Sequence, residues 1–198
     1  ADDQIGAVLY GDGASTGVIN IVTRSPLKQG ASAELYGRAG TFNTQEGQVT
    51  ASMVKDNFGV NATAYDFRSN GYRANNFNKQ DNYSGGMRWG YGESFVDLQL
   101  AQDHQQLRLP GARTVQPSIG LNEYLSDPRG TDTPLDYSSR DGHRAALTVA
   151  HTFGDAEMRI GLNWRDKDSR AYFDQGGFPS FRADDLNVTG FTPRIRVP

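Results

Sequence analysis

Eight stretches of this chain alternate apolar and polar residues with a period of two, a pattern that belongs to strands and not to helices. Residues 31–40 set Ala33, Leu35 and Gly37 against Glu34, Tyr36 and Arg38. Residues 45–54 oppose Val49, Ala51 and Met53 to Gln48, Thr50 and Ser52, and residues 58–67 oppose Val60, Ala62 and Ala64 to Asn61 and Thr63. In 81–89, Tyr83, Met87 and Trp89 face away from Asn82, Ser84 and Arg88. In 95–103, Val96, Leu98 and Leu100 face away from Asp97, Gln99 and Asp103. Stretches 143–153 and 157–165 do the same with Ala145, Leu147, Val149 and with Met158, Ile160, Leu162, Trp164. The eighth, 182–197, starts with Leu186 and Val188 on the apolar side and changes phase near Gly190 and Phe191, which predicts a bulge there.

Eight such stretches in succession predict an antiparallel meander. Several reach nine residues or more, longer than ordinary globular strands and close to the 9–11 tilted residues that cross a bilayer. Hydrophobic residues make up 36% of the chain, and mean hydropathy is -0.63. No run approaches the roughly 18–20 apolar residues a spanning helix needs. A barrel strand escapes that test, because its two faces average out as hydrophilic. The absence of cysteine excludes disulfides, thiol catalysis and thiolate metal sites. A net charge of -3 argues against a nucleic-acid partner.

The connections carry a second signal. Tight turns are expected at Lys55-Asp56-Asn57, Tyr91-Gly92-Glu93-Ser94 and Gly154-Asp155-Ala156, and long loops at 68–80, 105–140 and 166–181, with a short link at 40–44. Turns at one end and loops at the other is the arrangement of outer-membrane barrels. Phe58, Trp89, Tyr91, Phe95 and Phe153 flank the tight turns, as an interfacial aromatic girdle would. An all-β sandwich would also alternate, but it does not require that segregation.

Ahead of the meander, Val8-Leu9-Tyr10-Gly11-Asp12-Gly13-Ala14-Ser15-Thr16-Gly17 leads into the β-branched run Val18-Ile19-Asn20-Ile21-Val22-Thr23, ended by Ser25-Pro26. This segment resembles the end of the plug domain of TonB-dependent outer-membrane receptors, a glycine-rich "LYG-x-G-A-x-x-G-V-I-N-I-V-T" stretch just before the first barrel strand. Thr16 stands where the family often has a further glycine. The resemblance implies that residues 1–26 close a plug, with Tyr10, Gly11, Gly13, Gly17 and Asn20 as its structural motif. It further implies that 27–198 open an antiparallel transmembrane β-barrel of 22 strands, of which about eight are here. The chain begins Ala1-Asp2-Asp3 without a leader and ends Arg194-Ile195-Arg196-Val197-Pro198 without the terminal aromatic of such barrels. It is therefore expected to be an internal segment.

The implied activity is TonB-dependent active uptake of a scarce nutrient across the bacterial outer membrane, an iron–siderophore complex before cobalamin, other cofactors or oligosaccharides. TonB, the ligand and outer-membrane lipid are the implied partners. A passive or structural small barrel is the alternative, and an outer-membrane hydrolase stands third.

No enzyme, cofactor or metal site is expected. Gly11-x-Gly13-x-x-x-Gly17 lacks the spacing and the following helix of a dinucleotide cradle. His104, His143 and His151 lack metal-site spacing; by alternation His104 and His143 lie on the outward face, beside the third loop. The inward polar set mixes Glu34, Asp97 and Asp103 with Arg38, Arg88, Arg144, Arg159 and Arg165, with no acid–base dyad. Candidate ligand contacts are arginines and aromatics of the long loops: Tyr72, Arg73, Arg108, Arg113, Tyr124, Arg129, Tyr172 and Phe178. Forked guanidinium donors suit anions, and aromatic faces suit flat ligands.

Overall fold

The computed structural model describes residues 29–91, 94–175 and 177–197. The proposed plug segment, with Tyr10, Gly11, Gly13, Gly17 and Asn20, lies outside the described residues. The rest is one antiparallel sheet of eight strands with neighbours in chain order. They are β1 (Gly30–Gly40), β2 (Thr44–Lys55), β3 (Phe58–Ser69), β4 (Asn78–Tyr91), β5 (Ser94–Arg108), β8 (Tyr137–Phe153), β9 (Ala156–Gln175) and β10 (Phe178–Arg196). Between β5 and β8 a two-residue ribbon, β6 (Val115–Gln116) with β7 (Leu121–Asn122), brackets a 3-10 turn at Pro117–Ile119 and precedes one helical turn, Glu123–Ser126. The sheet is open, with β1 and β10 as its edges.

Register assigns each residue to a face, because direct partners point the same way. One row runs Val60, Met87, Leu98, Leu147, Leu162, Phe191 across β3 to β10. The neighbouring row on the opposite face runs Asn61, Gly86, Gln99, Ala146, Asn163, Gly190. The alternation read from the sequence is thus carried into a sheet with one apolar and one polar side. Neither side is covered by other described residues. Among the described residues Ala150 is the only buried apolar side chain, and Trp89, Leu100, Leu162 and Trp164 are exposed. A soluble antiparallel sheet would pack its apolar face against a second layer; here no second layer exists among the described residues.

The sheet is also sheared. Following partners from Phe58 gives Trp89, Val96, Val149 and Ile160. The first tight hairpin closes at Lys55↔Phe58, the second at Tyr91↔Ser94, two residues past Trp89, and the third at Phe153↔Ala156, four residues past Val149. The turn line therefore slips by one residue per strand. The upper limit of the apolar face slips in the same sense. Ala64 and Tyr83 share its top row; Leu100, Ala145 and Trp164 lie one row lower, and Phe191 one row lower again. With a rise of about 3.4 Å per residue and about 4.8 Å between strands, this slope is about 35°. Above the apolar band on the same face stands a row of Asp66, Asp81, His104, Asp141, Asp168 and Asp185.

Three expectations are corrected. Residues 166–181 are not a long loop, since β9 and β10 continue as a hairpin to Gln175↔Phe178. Its tip is closed by Gly177 at φ 84, whose N–H donates to Asp174 Oδ1 at 3.1 Å. The segment loses its apolar alternation, and polarity does not preclude pairing. Second, β10 has no bulge: its register is unbroken from Phe178 to Arg196, so Leu186 and Val188 share the polar face with Lys167 and Arg165, their direct partners. Third, Phe95 does not join the other turn aromatics. It lies on the polar face, with Arg88 stacked 3.6 Å above its ring and Arg159 at 5.6 Å.

Candidate functional site

The end opposite the tight turns carries a three-residue link at 41–43, the loops 70–77 and 109–136, and the tip of the β9–β10 hairpin. The two loops are latched together by residues 73 and 75. Arg73 donates to three carbonyls of the longer loop: Nε to Gly130 at 3.0 Å, Nη1 to Gly111 at 2.6 Å and Nη2 to Pro110 at 2.9 Å. Asn75 sits at φ 53, a left-handed conformation that asparagine tolerates. That turn aims its Nδ2 at the carbonyls of Leu109, Thr133 and Asp136, at 3.0, 2.6 and 3.0 Å. The Ala74 N–H donates to the Arg129 carbonyl at 2.7 Å, closing the same seam.

Inside the longer loop Arg113 is the organising cation, only 5% exposed. Its Nη1 lies 2.9 Å from Asp132 Oδ1, and its Nη2 lies 3.2 Å from Asp127 Oδ2 and donates to the Asp127 carbonyl at 2.6 Å. Glu123, 4.0 Å away, accepts from the Thr114 N–H at 2.6 Å. Asp136, 4% exposed, anchors the loop's return by accepting from the Asp174 N–H at 2.7 Å. Arg73 and Arg113 thus direct their donors into the loops themselves.

The remaining candidates fall into two groups and two singles. Arg129 lies over Tyr72 at 5.2 Å and over Phe42 at 6.0 Å, and these two rings meet edge to face at 5.6 Å. Arg108 lies over Tyr137 at 5.5 Å, and Tyr137 stacks with Tyr172 at 6.3 Å. Arg108 and Tyr172 are strand residues, on the same face as the apolar band but beyond it. Tyr124 on the helical turn and Phe178 at the hairpin tip are exposed. Each group offers a positive charge spread over aromatic faces, a surface suited to flat or electron-rich ligands.

Sequence reasoning missed Phe42, Asn75, Asp136 and Tyr137. Asn75 had one usable signal, its tolerance of left-handed backbone; the rest depend on which loops meet. The histidines stay apart from any metal-like cluster. His104 Nδ1 lies 2.6 Å from Asp141 Oδ1 across β5 and β8, His143 is paired with Gln102, and His151 Nδ1 lies 3.1 Å from Ser94 Oγ. No group of three or more His, Cys, Asp or Glu able to hold a metal occurs among the described residues. Comparison with protein-family models, curated proteins and solved structures found no match to this chain.

Proposed function

We propose that this chain is part of the wall of a TonB-dependent outer-membrane transporter, with residues 1–26 closing the plug and 27–198 supplying the first eight barrel strands. The observation that carries the reading is the shear. A one-layer sheet with an uncovered apolar face needs an apolar solvent, and the band of apolar side chains crosses the strands at about 35°. Strands of membrane barrels tilt by about 35–45°, so such a band would lie level with the bilayer. The exposed aromatics Phe58, Trp89, Tyr91 and Phe153 then stand at the turn-side interface. The unpaired edges of β1 and β10 accommodate further strands. The glycine-rich motif at 8–26 supports the family by resemblance, and the arginine–aromatic groups at the loop end fit capture of a ligand from outside.

In this reading the chain does no chemistry on its ligand. It resides in the bacterial outer membrane and admits a scarce nutrient, an iron–siderophore complex in the first instance, when TonB displaces the plug. The test is uptake of labelled ferric siderophore by cells carrying the full-length protein, with and without TonB, and with labelled cobalamin as a second arm. Accumulation of either ligand that disappears without TonB is the expected result. Accumulation that persists without TonB would replace the reading with a passive barrel, and none of either ligand in any strain would overturn the assigned ligand classes.

A further inference from the structure

The polar face carries an arrangement that the packing does not explain. Arg144 on β8 and Arg165 on β9 are direct cross-strand partners, so two guanidinium groups emerge side by side. Like charges directly opposite one another destabilise a sheet pair. The described residues around them do not neutralise them. Along the same row lie Ala101 on β5 and Val188 on β10. One row below come Gln99, Ala146 and Asn163, and one row above come Asp103, Gly142 and Lys167. Asp103 is engaged, its Oδ2 accepting from Arg140 Nε at 3.1 Å. Lys167 adds a third cation, with Asp184 diagonal to it on β10. No described acid forms an ion pair with Arg144, Arg165 or Lys167.

These side chains border a recess of about 290 Å³, where Arg140, Arg144, Arg165 and Lys167 share the polar face with Asp103, and Asp166 lies at the rim. On this face of the recess four cations stand against the single carboxylate Asp103, an excess of three positive charges. Asp166 belongs to the other face, where its Oδ1 accepts from Asn187 Nδ2 at 3.2 Å. Asn82, opposite Asp103 on β4, adds an uncharged amide to the rim. Gly142 is needed to keep the floor open, because a Cβ there would come within 2.7 Å of Asp103 Oδ1.

We propose that this recess is a binding site for a doubly charged oxyanion, a phosphate or a dicarboxylate, held between Arg144 and Arg165 with Lys167 at its side. Two forked guanidinium groups donate to such an anion bidentately, and the anion removes the repulsion between them. The site itself rests on register and charge; its place on a transport path rests on the function proposed above.

The test is calorimetric titration of the full-length protein at low ionic strength with inorganic phosphate and with succinate, and with sodium chloride of matched ionic strength as the screening control. Either dianion should bind where chloride does not, and the two arms identify which source of the charge the site takes. Arg144→Gln and Arg165→Gln should each weaken binding about tenfold or more, as loss of a charge-assisted hydrogen bond does. Arg170→Gln, on the opposite face, should leave it unchanged. Ala101→Asp provides a second route, placing a carboxylate opposite Arg144, and should abolish binding in a folded protein. Absence of binding by both dianions at millimolar concentration, or equal binding by the wild type and the glutamine variants, overturns the site. Insertion into lipid vesicles is measured on the same sample. Insertion without anion binding removes the site and leaves the transporter reading, whereas anion binding without insertion keeps the site and removes the transport path.

Discussion

The two faces of the sheet are made by the same strands, yet they answer to different rules. On one face Val60, Leu98, Leu147 and Leu162 form a continuous apolar row. On the other, one residue along each strand, stand Asn61, Gln99, Ala146 and Asn163. The apolar face is chemically monotonous; its upper limit steps down from β3 to β10, and the row of Asp66, Asp81, His104, Asp141, Asp168 and Asp185 stands beyond it. The polar face is varied, with Arg88 over Phe95 near the turns and the Arg144–Arg165 pair higher up. A uniform face is what a uniform solvent selects, and a varied one is what specific neighbours select.

That contrast is broken most strongly by a charge placed on the wrong side. In the full-length protein Leu147→Arg should cost roughly 2–4 kcal/mol, the penalty of a cation near the bilayer midplane. Thr148→Arg, one residue on and facing Asp97, should be nearly neutral. Denaturant titration of vesicle-folded protein compares them, and equal penalties would remove the distinction between the faces.

Glycines sharpen the same comparison at smaller scale. Gly90 lies on the polar face opposite Phe95, and a Cβ there would collide with the backbone of Ser94 and Phe95. Gly90→Val should therefore destabilise by about 1–3 kcal/mol. Gly85, on the apolar face of the same strand, leaves a Cβ 3.5 Å from the Asn61 carbonyl, an ordinary contact. Gly85→Ala should be tolerated or slightly stabilising in the same titration. A reversal of these two results would contradict the close approach of β5 to the backbone at Gly90.

The loop end should respond more locally. Asn75→Ala removes donors to three carbonyls at a left-handed position, which should loosen the 70–77 and 109–136 loops by about 1–3 kcal/mol. Limited proteolysis should then cut within 109–136 at least several times faster while the strand region stays intact. Unchanged cleavage would mean that Arg73 and the Ala74 N–H hold the seam without Asn75.

The strands were legible where apolar and polar side chains alternate without interruption. Met158, Ile160, Leu162 and Trp164 alternate cleanly with Arg159 and Arg165, and β9 was read correctly there. Beyond Trp164 the strand continues with Asp166, Asp168 and Arg170 on the formerly apolar side, so hydrophobic period ceases while backbone pairing does not. The same effect disguised β10, where Leu186 and Val188 lie beside Lys167 and Arg165 above the apolar band and imitate a change of phase. The arginine–aromatic composition of the loop end was also visible, but its partners were not. Arg73 reaches residues 37, 38 and 57 positions away, and a contact at that range leaves no local pattern.

If the sheet's shear sets its apolar band level in a bilayer, residues in one register row lie at different depths. Because the chain has no cysteine, single nitroxide labels can be placed at Met53, Val60, Met87, Leu98, Leu147, Leu162 and Phe191, which share one row. Their depths in vesicles can be read from relative quenching by oxygen and by a water-soluble nickel chelate. The account predicts lipid exposure at all seven, with distance from the turn-side surface increasing by about 3 Å per strand from Met53 to Phe191. Labels at Asn61, Gln99 and Thr148 should meet the nickel reagent instead. Equal depth across the row, or nickel access on both faces, would contradict it.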